Sequence, residues 1–275
     1  MSIKNTLSKY MELSDKTIRK SQKLLPTFGR ILLISTFVED SFRMFKNPHE
    51  HIDYFSNDKD GWMFPYSIAC LIFLYCSFVQ LFGSMLIVWR KKVGLVVCLL
   101  IILLIIQTVT YNIYTDSRAL VRNISVLGGL LLLYIESQIT SNKPFGYNDL
   151  PTIPKSINKT SFAILCSRVY LVLMYLSIIH LDNFGWLKCI EYASSFVLVT
   201  CIVIGFNTKL FSLLLAIVLF VMNFFVNNWW TTTSDISADY NKFDFFQILS
   251  VVGALLILIS IGPGTISIDN YKKQL

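Results

Sequence analysis

Charge is scarce in this chain. Lys, Arg, Asp and Glu make up 15% of the 275 residues while 54% are apolar, where a soluble domain carries roughly a quarter charged. The shortage excludes a disordered or highly solvated protein, because a polar chain of that kind cannot be this apolar. There is no HExxH, no GxSxG and no phosphate-binding glycine loop, so the residue sets of zinc hydrolysis, serine acyl transfer and nucleotide use are missing. Only His49, His51 and His180 represent histidine. They form no metal-ligand pattern, and the segment around His49 and His51 reads as a solvated loop. The chain is therefore read as neither an enzyme nor a holder of a metal or cofactor. Cysteine is equally unorganised: Cys70, Cys76, Cys98, Cys166, Cys189 and Cys201 lie within or beside apolar runs, without a CxxC. They read as packing residues and not as a disulfide framework.

What the chain has in abundance is apolar length. Runs sufficient to cross a ~30 Å hydrocarbon core recur throughout, and about eight spanning helices are expected: Pro26–Phe45, Phe64–Trp89, Val93–Tyr114, Ala119–Ile139, Phe162–Leu181, Trp186–Phe206, Leu210–Asn227 and Phe243–Ile261. The fold class is an all-α polytopic membrane protein. Residues 1–25 form a basic amino-terminal segment, 26–265 the membrane domain and 266–275 a polar tail.

The basic residues give that domain a direction. Lys4, Lys9, Lys16, Arg19, Lys20 and Lys23 precede the first span, Arg90-Lys91-Lys92 separate the second and third, Lys143, Lys155 and Lys159 the fourth and fifth, and Lys209 the sixth and seventh. All fall on one side, and Lys and Arg near span ends stay cytosolic. Glu50, Asp53, Asp58, Asp60, Asp116, Asp182, Asp235 and Asp239 fall on the other. Both termini are thus expected in the cytosol, facing away from an acidic lumenal side. The net charge of +7 follows from this bias, and no nucleic-acid partner is needed to explain it. The polar, basic start lacks the apolar core of a removable signal peptide, so the first span reads as an uncleaved signal-anchor. The sequons at Asn123 and Asn158 fall in a helix and in the cytosol and should carry no sugar. The tail ends Lys272-Lys273-Gln274-Leu275. Lysines third and fourth from a cytosolic carboxyl terminus form a retrieval address to the endoplasmic reticulum, although ordinary flanking charge accounts for them equally well.

An internal echo points to two parallel four-helix repeats, 26–140 and 160–265. Gly29-Arg30-Ile31-Leu32-Leu33 resembles Ser167-Arg168-Val169-Tyr170-Leu171, and the stretch from Asn123 to Leu131 resembles that from Gln247 to Leu255. Sites in repeat-built membrane proteins often lie between the repeats. The two arginines read most simply as anchors that snorkel to the cytosolic headgroups.

Ionisable residues that could bind something gather at the expected lumenal ends. Glu39, Asp40 and Arg43 close the first span, His180 and Asp182 the fifth, and Asp244 opens the eighth. A carboxylate deep in a bilayer costs roughly 3 kcal/mol or more unless it is paired or meets water. Glu39 and Arg43 have the i,i+4 spacing of an intrahelical ion pair, which leaves Asp40 without such a partner. Arg118 and Arg122 share a face and repel unless an anion approaches. Gln80, Gln107, Asn112 and Asn223 are suited to bonding between helices, and Gly83, Gly94, Gly128, Gly129 and Gly253 to close backbone approach.

Several stretches together resemble the surfeit locus protein 4 family, over about Leu25 to Leu275. They are Leu33-Ile34-Ser35-Thr36-Phe37-Val38-Glu39-Asp40-Ser41-Phe42-Arg43-Met44; Arg122-Asn123 with Gly128-Gly129 and Glu136-Ser137; Arg168 with His180; Gly205-Phe206 with Thr208-Lys209-Leu210; and Tyr240 to Gln247 with Gly262-Pro263-Gly264. The resemblance implies a receptor that cycles between endoplasmic reticulum, intermediate compartment and Golgi. It would load soluble secretory cargo into COPII vesicles and return with COPI through Lys272 and Lys273. It also implies cargo choice by newly exposed amino-terminal residues. A free amine calls for a desolvated carboxylate, which makes Glu39, Asp40, Asp182 and Asp244 candidate acceptors, with Arg43, Arg122 and His180 beside them. The alternatives are a lipid scramblase, with Gln80, Gln107, Asn112 and Asn223 lining a polar groove against membrane lipids, or a small-molecule transporter.

Overall fold

The computed structural model describes residues 24–56, 63–115, 117–141, 164–166, 168–169, 196–231 and 235–262. Among the described residues there are helices and turns and no strand, as an all-α membrane protein requires. The helices are α1 (Leu25–Lys46), α2 (Pro48–Ser56), α3 (Tyr66–Val88), α4 (Val93–Thr110), α5 (Ser117–Ser141), α6 (Thr208–Val226) and α7 (Asp235–Ile261). A further helical stretch occupies 196–204. Among the described residues four helical segments are long and apolar enough to cross a membrane by themselves: Tyr66–Val88, Val93–Thr110, Thr208–Thr231 and Ala238–Ile261. The expected spans Phe162–Leu181 and Trp186–Phe206 fall mostly outside the described residues.

Local chemistry sets the helix starts. Pro26 lies in the first turn of α1, Pro48 opens α2 and Pro65 precedes α3, positions where a missing N–H costs nothing. α7 begins well before Phe243 because Asp235 and Asp239 place acidic residues near its amino end, where the helix dipole favours them. α3 is apolar all round and divides into two faces. Leu71, Leu74, Phe78, Phe82 and Met85 form an exposed stripe, while Phe73, Cys76, Gln80, Gly83, Ser84 and Ile87 are buried. The stripe is the lipid side, since apolar surface of that extent does not face water.

α2 replaces the solvated loop expected around His49 and His51. Ile52 and Phe55 recur at helical spacing and are buried with Met44, Ala69, Phe73, Cys76 and Leu103. That small apolar cluster fixes α2 across the ends of α3 and α4.

α1 has too many charges to pass as a span on hydropathy alone, yet it runs through the bundle between α3 and α7. Its charges are met by protein. Arg30, only 2% exposed, donates to Glu136 of α5, and Arg168 is buried as well. The expected snorkelling of these arginines is therefore corrected. Arg30 points into the bundle, where no lipid-exposed path leads its stem to the headgroups, and a carboxylate offsets part of the cost of burying the charge.

The first and last described helices make the closest contact. The apolar stretch of α7 is 72% buried, against 33–44% for the other three spans, so α7 is the most enclosed of these four described spans. It crosses α1 at Gly29 and Gly253. A Cβ on Gly253 would lie 2.3 Å from the Leu33 nitrogen and 2.6 Å from the Gly29 oxygen, and a Cβ on Gly29 would lie 2.9 Å from the Gly253 oxygen. Backbones touch there, as small residues permit in membrane bundles.

Two inter-helix turns have the same form. After α3, Lys91 N donates to Leu86 O, Arg90 takes φ +57° and Lys92 φ +48° before α4 begins. After 204, Phe206 N donates to Cys201 O, Gly205 takes φ +79° and Asn207 φ +43° before α6 begins. Each is a helix C-terminus closed by a left-handed residue.

Gly253→Ala should destabilise the protein by about 3 kcal/mol or more, because backbone atoms cannot move aside. Gly83→Ala meets only side chains, Val96 at 3.2 Å and Leu100 at 3.7 Å, and should cost about 1 kcal/mol or less. Thermal unfolding of the two variants in detergent checks the difference.

Candidate functional site

The half of α1 that ends at Lys46 carries Glu39, Asp40 and Arg43. Successive helical residues point about 100° apart, so Glu39 and Asp40 meet different neighbours. Asp40 faces α3 and α4: its Oδ2 accepts from Gln80 Nε2 at 2.6 Å and from Gln107 Nε2 at 3.0 Å. Its Oδ1 accepts from Arg43. Both oxygens of Asp40 are thus engaged, and Arg43 pairs with Asp40 instead of Glu39. The i,i+3 and i,i+4 spacings are equally available on a helix. The expected Glu39–Arg43 ion pair gives way because the Arg43 guanidinium also lies over the Phe243 ring, 5.3 Å from its centroid.

Glu39 faces α7. It is 5% exposed, its Oε1 lies 3.5 Å from Lys242 Nζ, and its Oε2 has no hydrogen-bond partner among the described residues. A buried carboxylate oxygen without a donor is costly, and Gln80 Oε1 is likewise without a partner among the described residues. One turn back along α1, Thr36 Oγ1 donates to Phe246 O at 3.0 Å and holds the two helices in register. Lys242 Nζ lies 5.9 Å from the Trp229 ring. Beyond Trp229, an aromatic group of Phe224, Trp230 and Phe245 packs edge to face, with Asn223 Nδ2 bound to Phe245 O at 3.0 Å.

α2 closes the α4 side of the cluster. His51 Nδ1 and the Tyr111 hydroxyl share a hydrogen bond of 2.9 Å, and Tyr54 stacks on Tyr111 with centroids 5.5 Å apart. Burial, and secondarily the Arg43 charge, pushes His51 below the ordinary histidine range, with Asp40 and Glu50 opposing.

Of the residues expected to bind, Glu39, Asp40 and Arg43 are together, and Asp244 lies half-buried on α7 just beyond Lys242. Arg122 is on α5, its side chain outside the described residues, and His180, Asp182, Lys272 and Lys273 also lie outside them. Lys242 was not among the expected site residues. Its signal was a lone cation among aromatics at a span end. Gln80 and Gln107 bond between helices as their setting suggested, and their acceptor is Asp40, which was expected to have no partner on its own helix and instead also holds Arg43.

A model of the SURF4 family matches residues 4–275. The chain is 34% identical over 276 residues to the Surfeit locus protein 4 homolog of Drosophila melanogaster, covering all of both chains. It is 30% identical to the Schizosaccharomyces pombe homolog of that name, over 96% of this chain and 87% of the relative. It is 28% identical to the ER-derived vesicles protein ERV29 of Saccharomyces cerevisiae, over 93% of this chain and 79% of that one. No solved structure matches the chain.

The His51 shift has a sign. With its native pKa lowered, the histidine's contribution to stability is full above about 6.5, the unfolded value. It is lost as pH falls through that value towards the native one. Thermal stability should therefore drop more steeply between pH 7 and pH 5 for the wild type than for His51→Gln, which cannot titrate. Parallel pH profiles for the two proteins would contradict the assignment.

Proposed function

The chain belongs to the SURF4 family, and from that premise we propose that it is a cargo receptor, not an enzyme, of the early secretory pathway. It collects soluble secretory proteins in the lumen of the endoplasmic reticulum, leaves with them in COPII vesicles and returns in COPI vesicles through Lys272 and Lys273. The observation that carries this reading is the similarity, over 93% of the chain, to a yeast protein named for endoplasmic-reticulum-derived vesicles.

With both termini in the cytosol, the Lys46 end of α1 faces the lumen. The basic turn at Arg90 supports this direction: Arg90 donates to Thr27 Oγ1 at 3.0 Å, which puts the Arg90-Lys91-Lys92 turn beside the start of α1, at the opposite end from Glu39. The lumenal polar cluster is then the part of the receptor that meets cargo. The group it is suited to hold is an amino-terminal ammonium, and Glu39 is the acceptor. Asp40 is already satisfied by three donors and serves to position Arg43 and α1. Arg122, His180, Asp182 and Asp244 complete the proposed cargo surface, between two parallel repeats. Gln80 and Gln107 are buried against Asp40, so in this reading these two amides bond helix to helix.

Glu39→Gln keeps size and polarity and removes the charge. Losing a charge-assisted bond costs ~1.5–3 kcal/mol, so cargo capture should fall about ten- to a hundredfold. Crosslinking of a free and an acetylated amino-terminal cargo peptide in opened microsomes reads it out. Equal capture of the two peptides by the wild type would refute the amine assignment. Separately, replacing Lys272 and Lys273 by Ser should leave thermal stability unchanged and move the protein forward to the Golgi. An unaltered distribution would refute retrieval through the tail.

A further inference from the structure

The ion pair at Glu39 is built loosely on one side and not at all on the other. Lys242 Nζ stands 3.5 Å from Oε1, beyond the 2.7–3.2 Å of a good N–H···O bond, and Oε2 receives no donor among the described residues. The lysine is also the least confined member of the pair: its side chain is 33% exposed, against 4% for Glu39. An alternative seat is close by, since Nζ is already 5.9 Å from the Trp229 ring, and the face of a tryptophan is the best aromatic surface for a cation.

These features have one physical consequence. A carboxylate buried to this degree is strongly disfavoured if left with no counter-charge. A cation beside it offsets part of that cost. Lys242 does so from a tether of four methylenes. Being attached to the same protein, it competes at a high effective concentration with any ammonium from outside.

We propose that Lys242 is a resident, displaceable ammonium that occupies Glu39 while the site is empty and swings onto the Trp229 face when a ligand's ammonium takes its place. This rests on the reading of Glu39 as the amine acceptor and adds the way that site is guarded. It yields selectivity, because a neutral group such as an acetylated terminus can neither displace Lys242 nor replace it as counter-charge. It also yields reversibility. The tethered lysine re-enters as the ligand leaves, so release never passes through an unpaired buried carboxylate. A receptor that must let go of what it carries requires a site of that kind.

The wild-type protein provides the test. Opened microsomes are incubated with a leucine-rich decapeptide bearing a free amino terminus, or with its acetylated twin, then pulsed with an amine-acylating reagent. Acylation of Lys242 is quantified by mass spectrometry against Lys46, which is exposed on the same helix as Glu39 and serves as the internal standard. The free-amine peptide should raise Lys242 acylation severalfold relative to Lys46, and the acetylated peptide should not. In Glu39→Gln, Lys242 should be acylated rapidly without peptide and respond to neither. If the free-amine peptide crosslinks selectively at the site while Lys242 acylation stays unchanged, displacement is wrong and the amine acceptor stands. If free and acetylated peptides crosslink equally, the acceptor reading fails and displacement with it.

Discussion

The contact between Gly29 and Gly253 is the constraint on which the rest of the described bundle depends. At that crossing a Cβ on either residue would collide with the backbone of the other helix, so α1 and α7 lie as close as two helices can. Membrane helices gain little from hiding apolar surface, since lipid is as apolar as protein, and close packing must supply the attraction instead. Gly129 brings α5 to the same place, where an added Cβ would reach Leu33 at 3.0 Å. The charges along the buried face of α1 are thereby brought against other helices. Its cationic end meets Glu136 on α5, and its acidic end meets amides on α3 and α4 and a lysine on α7.

Enclosure explains why neighbouring carboxylates differ in chemistry. Glu39 and Asp40 are adjacent in sequence, yet the turn of the helix sends one towards α7 and the other towards α3. Asp40 finds enough donors to be a fixed structural ion. Glu39 finds the Lys242 ammonium at 3.5 Å and keeps one oxygen without a donor among the described residues. The proposed site for a cationic group rests on that inequality.

Much of the architecture is legible in residue order, and the limits are specific. Long apolar runs and proline positions locate α1, α3, α4 and α6, because those signals are local. Glu39, Asp40 and Arg43 stand out for the same reason, as charges where charge is expensive. The choice of partner for Arg43 is not legible, because i,i+3 and i,i+4 neighbours are equivalent along one helix. Gln80, Gln107 and Phe243, remote in sequence, decide it. The burial of Arg30 escapes a local reading likewise, since an arginine one turn into a span looks the same whether it reaches headgroups or Glu136. α2 was missed because nine residues with two apolar anchors give a weak helical signal until Tyr111 and the ends of α3 supply a surface.

The most direct measurement is a structure of the protein with a free-amine peptide bound. The account predicts the peptide's amino nitrogen within hydrogen-bond distance of Glu39 Oε2, Lys242 turned onto Trp229, and Asp40 still holding Gln80, Gln107 and Arg43. A peptide bound with the Glu39–Lys242 contact intact and its amino terminus elsewhere would contradict it.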